Sequence, residues 1–327
     1  MRAVIAPGDG TLRLEDRPVP EPGPGEVRVR VHGAGLNRAD LLQRLGFYPA
    51  PPGVPADIPG MEFAGVVEAT ADDVTDPAPG THVFGVVGGG AQAEYVVVPA
   101  PHCAVVPPDL ALVVAGGVPE VFVTAHDAMR TRGRLRAGEH VLVHAVGSGV
   151  GTAVVQLAKA FGCTVTGTAR TESKLTDARA LGMDHGVLAP RELEPLAFAA
   201  AITEAGGAPD VVIDLVGGAY VTAEVAAVAP RGRIVIVGTL AGGMPAVPLL
   251  GLMQKRAEMH GTVLRPRSIA DKAAATDAFV AEVVPMLADG RVRPIVDRVF
   301  PLTAATEAYD LVEADTTFGK VILDAGK

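Results

Sequence analysis

The sequence predicts an α/β protein that combines a β-rich domain with a parallel sheet covered by helices. Its 327 residues are enough for two domains of about 150 residues each. Hydrophobic residues make up 49% of the chain and charged residues 20%, which excludes a wholly disordered protein because there is ample apolar material for a core. Short alternating strands fill the first third, and apolar strands alternate with helices in the middle.

Charge, cysteine content and hydropathy exclude several functional classes. The 28 Lys and Arg against 37 Asp and Glu give a net charge of −9, so we expect no nucleic-acid partner. Cys103 and Cys163 are too few for a disulfide framework or a four-thiolate zinc site. The first residues carry charge where a signal peptide needs an apolar stretch, and no uncharged apolar run reaches about 18 residues. We therefore expect a cytoplasmic protein without membrane association.

The β-rich part covers residues 1–118. Residues 26–32 alternate between polar and apolar side chains with a period of two, which is typical of a half-buried strand. Turns rich in Gly and Pro flank this strand, and further short strands are predicted at 64–69 and 93–98. Many short strands separated by such turns indicate a small barrel or sandwich.

From residue 119 to 263 the pattern changes to that of a parallel sheet. Its strands are apolar on both faces and are separated by helices, as expected when helices cover both sides of the sheet. The predicted elements are strand 141–145, helix 152–161, strand 163–168, helix 172–181, strand 210–214 and strand 232–238.

The last part of the chain carries one more amphipathic helix, at 271–287, followed by strands at 296–300 and 320–323. These strands resemble the first part more than the middle, so we expect the chain to return to its first domain. The predicted division is 1–118 with 264–327 for one domain and 119–263 for the other.

A glycine-rich turn follows the first strand of the predicted sheet and opens a helix. Residues 141–151 read VLVHAVGSGVG, and a strand, glycine turn and helix in this order suit a pyrophosphate, which the unpaired N–H groups of the helix start bind. The literal motif G-x-G-x-x-G is absent, so the prediction of a pyrophosphate site rests on the order of strand, glycine turn and helix. The alternative is a glycine turn that only lets helix and strand pack closely. The predicted cofactor-binding residues here are Ser148, Gly149, Val150 and Gly151.

The tip of the second strand predicts which dinucleotide binds. NAD-specific folds place a carboxylate there for the ribose hydroxyls, but this chain has Arg170 and Thr171, with Lys174 one turn later. Two cations and a hydroxyl suit a 2′-phosphate, which a carboxylate would repel. The alternative is a solvated helix start with incidental charges. We therefore expect NADPH to be preferred to NADH.

Several segments together resemble the zinc-independent quinone oxidoreductases of the medium-chain dehydrogenase/reductase superfamily. The motifs Asn-Arg-Ala-Asp and Ser-Gly-Val-Gly resemble those of the p53-inducible subgroup. The resemblance runs in order over essentially the whole chain. It implies a GroES-like barrel domain, a Rossmann domain inserted before the C-terminal strands, NADPH as cofactor and a homodimer. The segments that carry it are 35–44, 46–49, 59–65, 123–125, 144–151 and 319–323.

The resemblance also implies the site residues. It makes Tyr48 the substrate-facing hydrogen-bond donor and places Asn37 and Asp40 near the nicotinamide. The alternatives are a Tyr48 that packs on neighbouring prolines and an Asp40 that only supports Asn37. The family often has a tyrosine near the third Rossmann strand, which is missing from 186–189. Further predicted cofactor contacts are Thr124, Lys320 and the turn residues Val216, Gly217, Val237, Gly238 and Leu240. The alternative for the turn residues is that they form ordinary turns at strand ends. The alternative for Lys320 is a position on the surface.

We expect no metal. Zinc-dependent relatives have a Cys where this chain has Leu36-Asn37 and a Gly-His-Glu where it has Gly60-Met61-Glu62. The eight histidines form no cluster with ligand spacing.

Without zinc, an alcohol is a poor substrate, because its hydroxyl must become an alkoxide before it loses hydride. A quinone or enone gives a stabilised anion after hydride addition, so modest hydrogen-bond donors suffice. The sequence therefore predicts NADPH-dependent reduction of quinones. The alternatives are an enone or enoyl-thioester reductase, and a non-catalytic NADPH-binding protein of crystallin-like or RNA-binding type.

Overall fold

The computed structural model describes residues 1–326 and divides the chain into two compact units. Unit 1 comprises Met1–Val123 and the segment from Leu264 to the end of the described residues, and unit 2 comprises Thr124–Val263. The chain passes from unit 1 to unit 2 after Val123 and returns to unit 1 after Val263.

Each unit has its own set of β-strands. The strands are β1 (Arg2–Ile5), β2 (Arg13–Asp16), β3 (Glu26–Gly35), β4 (Glu62–Thr70), β5 (His82–Val86), β6 (Tyr95–Pro99), β7 (Cys103–Val105), β8 (His140–Val143), β9 (Thr164–Ala169), β10 (His185–Leu188), β11 (Val211–Asp214), β12 (Arg233–Ile236), β13 (Glu258–Gly261), β14 (Val296–Pro301) and β15 (Lys320–Asp324).

Helices connect these strands. They are α1 (Arg38–Arg44), α2 (Leu112–Ala115), α3 (Pro119–His126), α4 (Gly149–Ala160), α5 (Glu172–Ala180), α6 (Pro195–Gly206), α7 (Tyr220–Ala227), α8 (Leu249–Lys255), α9 (Ile269–Glu282), α10 (Val284–Ala288) and α11 (Ala305–Glu313). None of the helices in the described part of the chain is both long and apolar enough to cross a membrane.

The main sheet of unit 1 has the strand order β14-β15-β3-β4-β5-β7, and β6 also pairs with β3. The period-two pattern forms β3, and its inward side chains Val27, Val29 and Val31 are buried in one core with Phe63 and Tyr309. The late strand β15 pairs antiparallel with β3 of the same sheet. This pairing brings the residues around β15 next to those that follow β3.

The sheet of unit 2 has six parallel strands in the order β10-β9-β8-β11-β12-β13. All residues of β8 and β11 are buried, as expected for central strands with helices on both faces. The predicted α/β class is therefore confirmed. In this order the carboxyl ends of β8 and β11 lie beside each other where the strand order reverses, which is where open α/β sheets bind ligands.

Three of the differences between predicted and observed bounds have a clear local reason. The helix predicted at 152–161 begins at Gly149, because Ser148 caps it and the glycines form its first turn. The helix predicted at 271–287 is split into α9 and α10 at Val283, since Pro285 has no N–H to continue the helical hydrogen bonds. The strand predicted at 232–238 ends at Ile236, where the chain turns toward β11.

Candidate active site

The turn between β8 and α4 has the features of an anion site. The Ser148 hydroxyl accepts a hydrogen bond from the N–H of Gly151 at 3.1 Å, which leaves the N–H groups of Gly149 and Val150 without a partner among residues 1–326. A Cβ at Gly151 would lie 2.6 Å from the carbonyl oxygen of Ala145, so this glycine is needed for close packing. Gly151 therefore has the packing role that was considered as the alternative. The two unpaired N–H groups of Gly149 and Val150 fit a pyrophosphate.

The tip of β9 carries the predicted determinants of NADPH binding. Arg170 and Thr171 are exposed directly after the strand, and Lys174 is half-buried in the first turn of α5. The neighbouring carboxylate, Glu172, forms an ion pair with Arg179 at 3.1 Å further along the same helix. The tip is therefore cationic, and its one adjacent carboxylate already has a partner.

The turns that follow β11 and β12 are joined to each other. The N–H of Ala241 donates to the carbonyl oxygen of Val216 at 2.8 Å, and that of Gly218 donates to the carbonyl oxygen of Gly242 at 3.0 Å. Gly217 has a φ of 69°, and a Cβ there would lie 2.9 Å from the Cα of Thr239, so a glycine is required. The predicted cofactor residues Val216, Gly217, Val237, Gly238 and Leu240 thus lie in one connected pair of turns. Thr124 is half-buried in α3.

Asp40 fixes the start of α1 in unit 1. Its carboxylate accepts hydrogen bonds from the N–H of Asn37 at 2.8 Å and from the N–H of Gly60 at 3.1 Å. The residue is completely buried, and burial raises the pKa of its carboxyl to about 6 although both N–H groups oppose this. With both oxygens in use, Asp40 holds two loops together, which corresponds to the supporting role considered as the alternative.

Asn37, Glu62 and Lys320 form a buried network beside α1. The Asn37 amide donates to Glu62 Oε1 at 2.9 Å, and the Lys320 ammonium donates to the carbonyl oxygen of Leu36 at 2.6 Å and to Asn37 Oδ1 at 2.8 Å. Lys320 also forms an ion pair with Glu62 at 2.6 Å and is 3% exposed. Its ammonium therefore contacts three oxygens of its own unit. The surface position considered as the alternative for Lys320 was wrong, because this network holds it, and its contact with the cofactor stays a prediction.

Tyr48 is half-buried and is held by Arg265. The guanidinium donates to the carbonyl oxygens of Gly88 at 2.7 Å and Tyr48 at 3.1 Å, and to Gln43 Oε1 at 2.5 Å. It also lies 5.0 Å from the centre of the Tyr48 ring. Burial raises the pKa of Tyr48, although the charge of Arg265 opposes this, so its hydroxyl remains a proton donor at neutral pH.

Sequence reasoning missed Glu120 and Arg265, which complete this part of unit 1. The N–H of Glu120 donates to Glu62 Oε2 at 2.9 Å, so α3 starts on the buried network. Burial and the neighbouring charge of Glu62 raise the pKa of the Glu120 carboxyl to about 8. No local pattern marks either residue, because their partners lie far away in the sequence.

The residues at the positions of zinc ligands in zinc-dependent relatives do not fit a zinc ion. The Asn37 side chain is occupied by Glu62 and Lys320, and Met61 is a buried thioether. Within residues 1–326, no group of three or more His, Cys, Asp or Glu side chains is placed to hold a metal ion.

Comparison with known proteins identifies the family. Residues 23–108 match the model described as "Alcohol dehydrogenase GroES-like domain", and residues 149–280 match that described as "Zinc-binding dehydrogenase". A quinone oxidoreductase of Pseudomonas aeruginosa is 32% identical over 323 residues, which cover 97% of this chain and 96% of that protein. This chain belongs to the medium-chain dehydrogenase/reductase superfamily. The members of this superfamily are NAD(P)-dependent oxidoreductases, and the predicted pairing of a GroES-like with a Rossmann domain is confirmed.

Two other proteins with similar sequences are informative. The quinone oxidoreductase of Thermus thermophilus, solved alone and with NADPH, has a TM-score of 0.82 and 33% identity, covering 99% of this chain and 100% of that one. The pikromycin polyketide synthase component PikAII of Streptomyces venezuelae is 33% identical over 320 residues, or 97% of this chain. This chain spans 8% of the length of that much larger relative.

Proposed function

We propose that this member of the superfamily reduces quinones with NADPH and without a metal. The observation that carries the proposal is the Asn37–Glu62–Lys320 network, which occupies the place of the zinc ligands. Without a Lewis acid, the acceptor has to form a weakly basic anion on hydride addition, and a quinone does so. The full-length similarity to two quinone oxidoreductases supports the same acceptor.

The residues of unit 2 fit a phosphorylated dinucleotide. The free N–H groups of Gly149 and Val150 suit the pyrophosphate, and Arg170 with Lys174 suits the 2′-phosphate. When bound, NADPH supplies the hydride. The remaining proposed contacts are Ser148, Thr171, Thr124 and the turn residues Val216, Gly217, Val237, Gly238 and Leu240.

In unit 1, Tyr48 donates a hydrogen bond to the oxygen on which negative charge develops. Arg265 holds the tyrosine by its ring and by its carbonyl oxygen, so little reorganisation is needed when the acceptor binds. Asp40 keeps the start of α1 against Gly60 and thereby fixes the residues that follow α1, including Tyr48.

An enone or enoyl thioester is the second candidate acceptor. Hydride addition to such a substrate gives an enolate, which needs the same hydrogen-bond donor as a quinone. The 33% identity with a 320-residue part of a polyketide synthase component supports this candidate.

We also propose a homodimer in the cytoplasm, without nucleic-acid or membrane partners. Support for self-association comes from unit 2, where β13 pairs on one side with β12 and forms the edge of the sheet. Exposed apolar side chains lie nearby in sequence, with Met244 99% and Met253 72% exposed. Sedimentation equilibrium tests this proposal, and a monomer at micromolar concentration would contradict it.

Rates of NADPH oxidation with a small panel of acceptors test the function. The panel contains 9,10-phenanthrenequinone, 1,4-benzoquinone and a crotonyl thioester. We expect the quinones to react fastest. A higher kcat/KM with the thioester would favour the second candidate, and NADPH binding without turnover of any acceptor would favour a non-catalytic binding protein.

A further inference from the structure

Asp214, the last residue of β11, is bonded to both turns that we assign to the cofactor. Its carboxylate Oδ1 accepts hydrogen bonds from the N–H groups of Val216 at 2.7 Å and Gly217 at 2.9 Å. Its main-chain carbonyl oxygen accepts from the N–H groups of Val237 at 2.8 Å and Gly238 at 3.2 Å. Four of the proposed cofactor residues therefore share one aspartate as their hydrogen-bond acceptor.

The Asp214 side chain is completely buried, whereas the turn that it holds reaches the surface. Val216 is half-buried and Ala219 is exposed. A molecule bound over the carboxyl end of β11 can therefore contact the turn but not the carboxylate. Asp214 can affect such a molecule only through the main-chain atoms that it holds in place.

The first turn depends on this carboxylate for its shape. Gly217 and Gly218 have φ angles of 69° and 59°, so the chain bends sharply directly after Val216. Without the carboxylate, the N–H groups of Val216 and Gly217 lose their acceptor, which is costly inside a protein, so the turn has to shift. Gly217 also packs closely on Thr239 of the second turn, so a shift of the first turn displaces the second.

The strand order determines which half of the proposed dinucleotide lies at these turns. The strand β9, with the cations proposed for the 2′-phosphate, lies on one side of β8, and β11 with β12 lies on the other. The pyrophosphate is assigned to the turn after β8, between them. A dinucleotide whose adenosine half lies at β9 therefore extends its nicotinamide half toward β11 and β12.

We infer that Asp214 is a positioning residue for the nicotinamide half of NADPH and has no part in binding the adenosine half. This inference rests on the proposed function. The carboxylate holds the first turn directly, and it holds the second turn through the packing of Gly217 on Thr239. The adenosine half is assigned to Arg170 and Lys174, on the other side of β8.

The affinities for NADPH and for 2′,5′-ADP, which is the adenosine half of NADPH, test the inference. For Asp214→Ala we expect the Kd for NADPH to rise about tenfold and the Kd for 2′,5′-ADP to stay unchanged. We expect kcat with 1,4-benzoquinone to fall further, because a misplacement of about 1 Å can cost about 100-fold in rate. Asp214→Asn keeps an oxygen that can accept from the turn and should restore most of the affinity. Isothermal titration calorimetry gives both Kd values.

Asp210→Ala is the matched control. Asp210 directly precedes β11, and its Oδ2 accepts a hydrogen bond from the N–H of His140 at 2.9 Å. It thus makes the same kind of contact at the amino end of the strand, away from the proposed cofactor site. Both alanine variants should lower the melting temperature, but only Asp214→Ala should raise the Kd for NADPH.

An unchanged Kd for NADPH in Asp214→Ala, or an equal rise of both Kd values, would overturn the inference while leaving the proposed function intact. A wild type that binds NADPH but not 2′,5′-ADP would also overturn it, because the two halves would then not bind separately. If the wild type binds neither molecule, the proposed function fails, and this inference fails with it. Should Asp214→Ala not fold, Asp214→Ser replaces it, because a serine hydroxyl ends one bond short of Oδ1 and holds the two N–H groups less well. The same outcomes decide the inference for that variant.

Discussion

The guanidinium of Arg265 lies 5.0 Å from the centre of the Tyr48 ring and donates a hydrogen bond to the carbonyl oxygen of Tyr48 at 3.1 Å. One buried side chain therefore fixes both the ring and the main chain of the residue proposed to bind the acceptor. A planar guanidinium can make both contacts at once, and a lysine ammonium cannot.

Tyr48→Phe removes the proposed donor but keeps the ring under Arg265. We expect kcat/KM for quinones to fall several-fold, because one hydrogen bond to the developing anion is lost, and the Kd for NADPH to stay unchanged. Tyr95→Phe, on β6, is the matched control. Steady-state kinetics with 1,4-benzoquinone measures the effect, and an unchanged kcat/KM would remove Tyr48 from the mechanism.

Arg265→Lys keeps the charge but loses the planar group. We expect kcat/KM to fall about tenfold and the melting temperature to decrease, because acceptors on Gly88 and Gln43 lose their donor. The exposed substitution Arg13→Lys should change neither quantity. In the double variant with Tyr48→Phe, the loss of activity should be smaller than the product of the two single losses. Multiplicative losses would show that Arg265 does not act through Tyr48.

Arg170→Ala combined with Lys174→Ala removes the cations proposed for the 2′-phosphate. We expect the Kd for NADPH to rise about tenfold or more, since each charge-assisted contact is worth roughly 1.5–3 kcal/mol, and the Kd for NADH to change little. Fluorescence titration with both dinucleotides measures this, with the exposed Arg191→Ala as control. Comparable Kd values for NADPH and NADH in the wild type would refute the preference.

Glu120→Gln tests the buried charges of unit 1 through the pH dependence of stability. The pKa of Glu120 is raised to about 8, so between its ordinary value and pH 8 the folded state binds more protons than the unfolded state. The wild type therefore loses stability as the pH rises through this range, by at most about 1.4 kcal/mol per pH unit from this group.

The variant should lose less stability than the wild type between pH 6.5 and 8.5, as measured by urea unfolding. Glu307→Gln changes an exposed carboxylate of unit 1 and should follow the wild type. Parallel curves for the wild type and Glu120→Gln would contradict the raised pKa.

Metal analysis of the purified protein tests the absence of zinc. We expect far less than one zinc per chain and unchanged NADPH oxidation after dialysis against EDTA, because Asn37 and Met61 occupy the ligand positions. A zinc-containing alcohol dehydrogenase treated in parallel serves as the control. A ratio near one zinc per chain would contradict the prediction.

The sequence predicts what local patterns determine. The period-two alternation of β3, the both-face apolar strands β8 and β11 and the glycine turn after β8 each depend on neighbouring residues, and all three are found in the structure. The split of the last long helix was missed because the apolar side chain of Pro285 suits the amphipathic pattern. Its missing N–H, which interrupts the helix, is not part of that pattern.

Site residues were predicted only where they lie within a recognisable sequence motif. Asn37 and Asp40 are three residues apart, so their mutual contact is visible in the sequence. Lys320 lies 284 residues from the carbonyl group of Leu36 that it contacts, and Arg265 lies 217 residues from Tyr48. Such contacts depend on how β15 and the segment before α9 pack in unit 1, and no pattern within one segment encodes this.

The place of Lys320 has a consequence for the order in which the two units fold on a ribosome. Of the strands described, β15 is the last to emerge, yet its first residue neutralises the fully buried Glu62, which lies early in the chain. Until then the carboxylate lacks its cation, and an unpaired buried charge is strongly destabilising. Unit 2, whose residues are contiguous, can complete its sheet during synthesis, whereas unit 1 has to wait until β15 has left the ribosome.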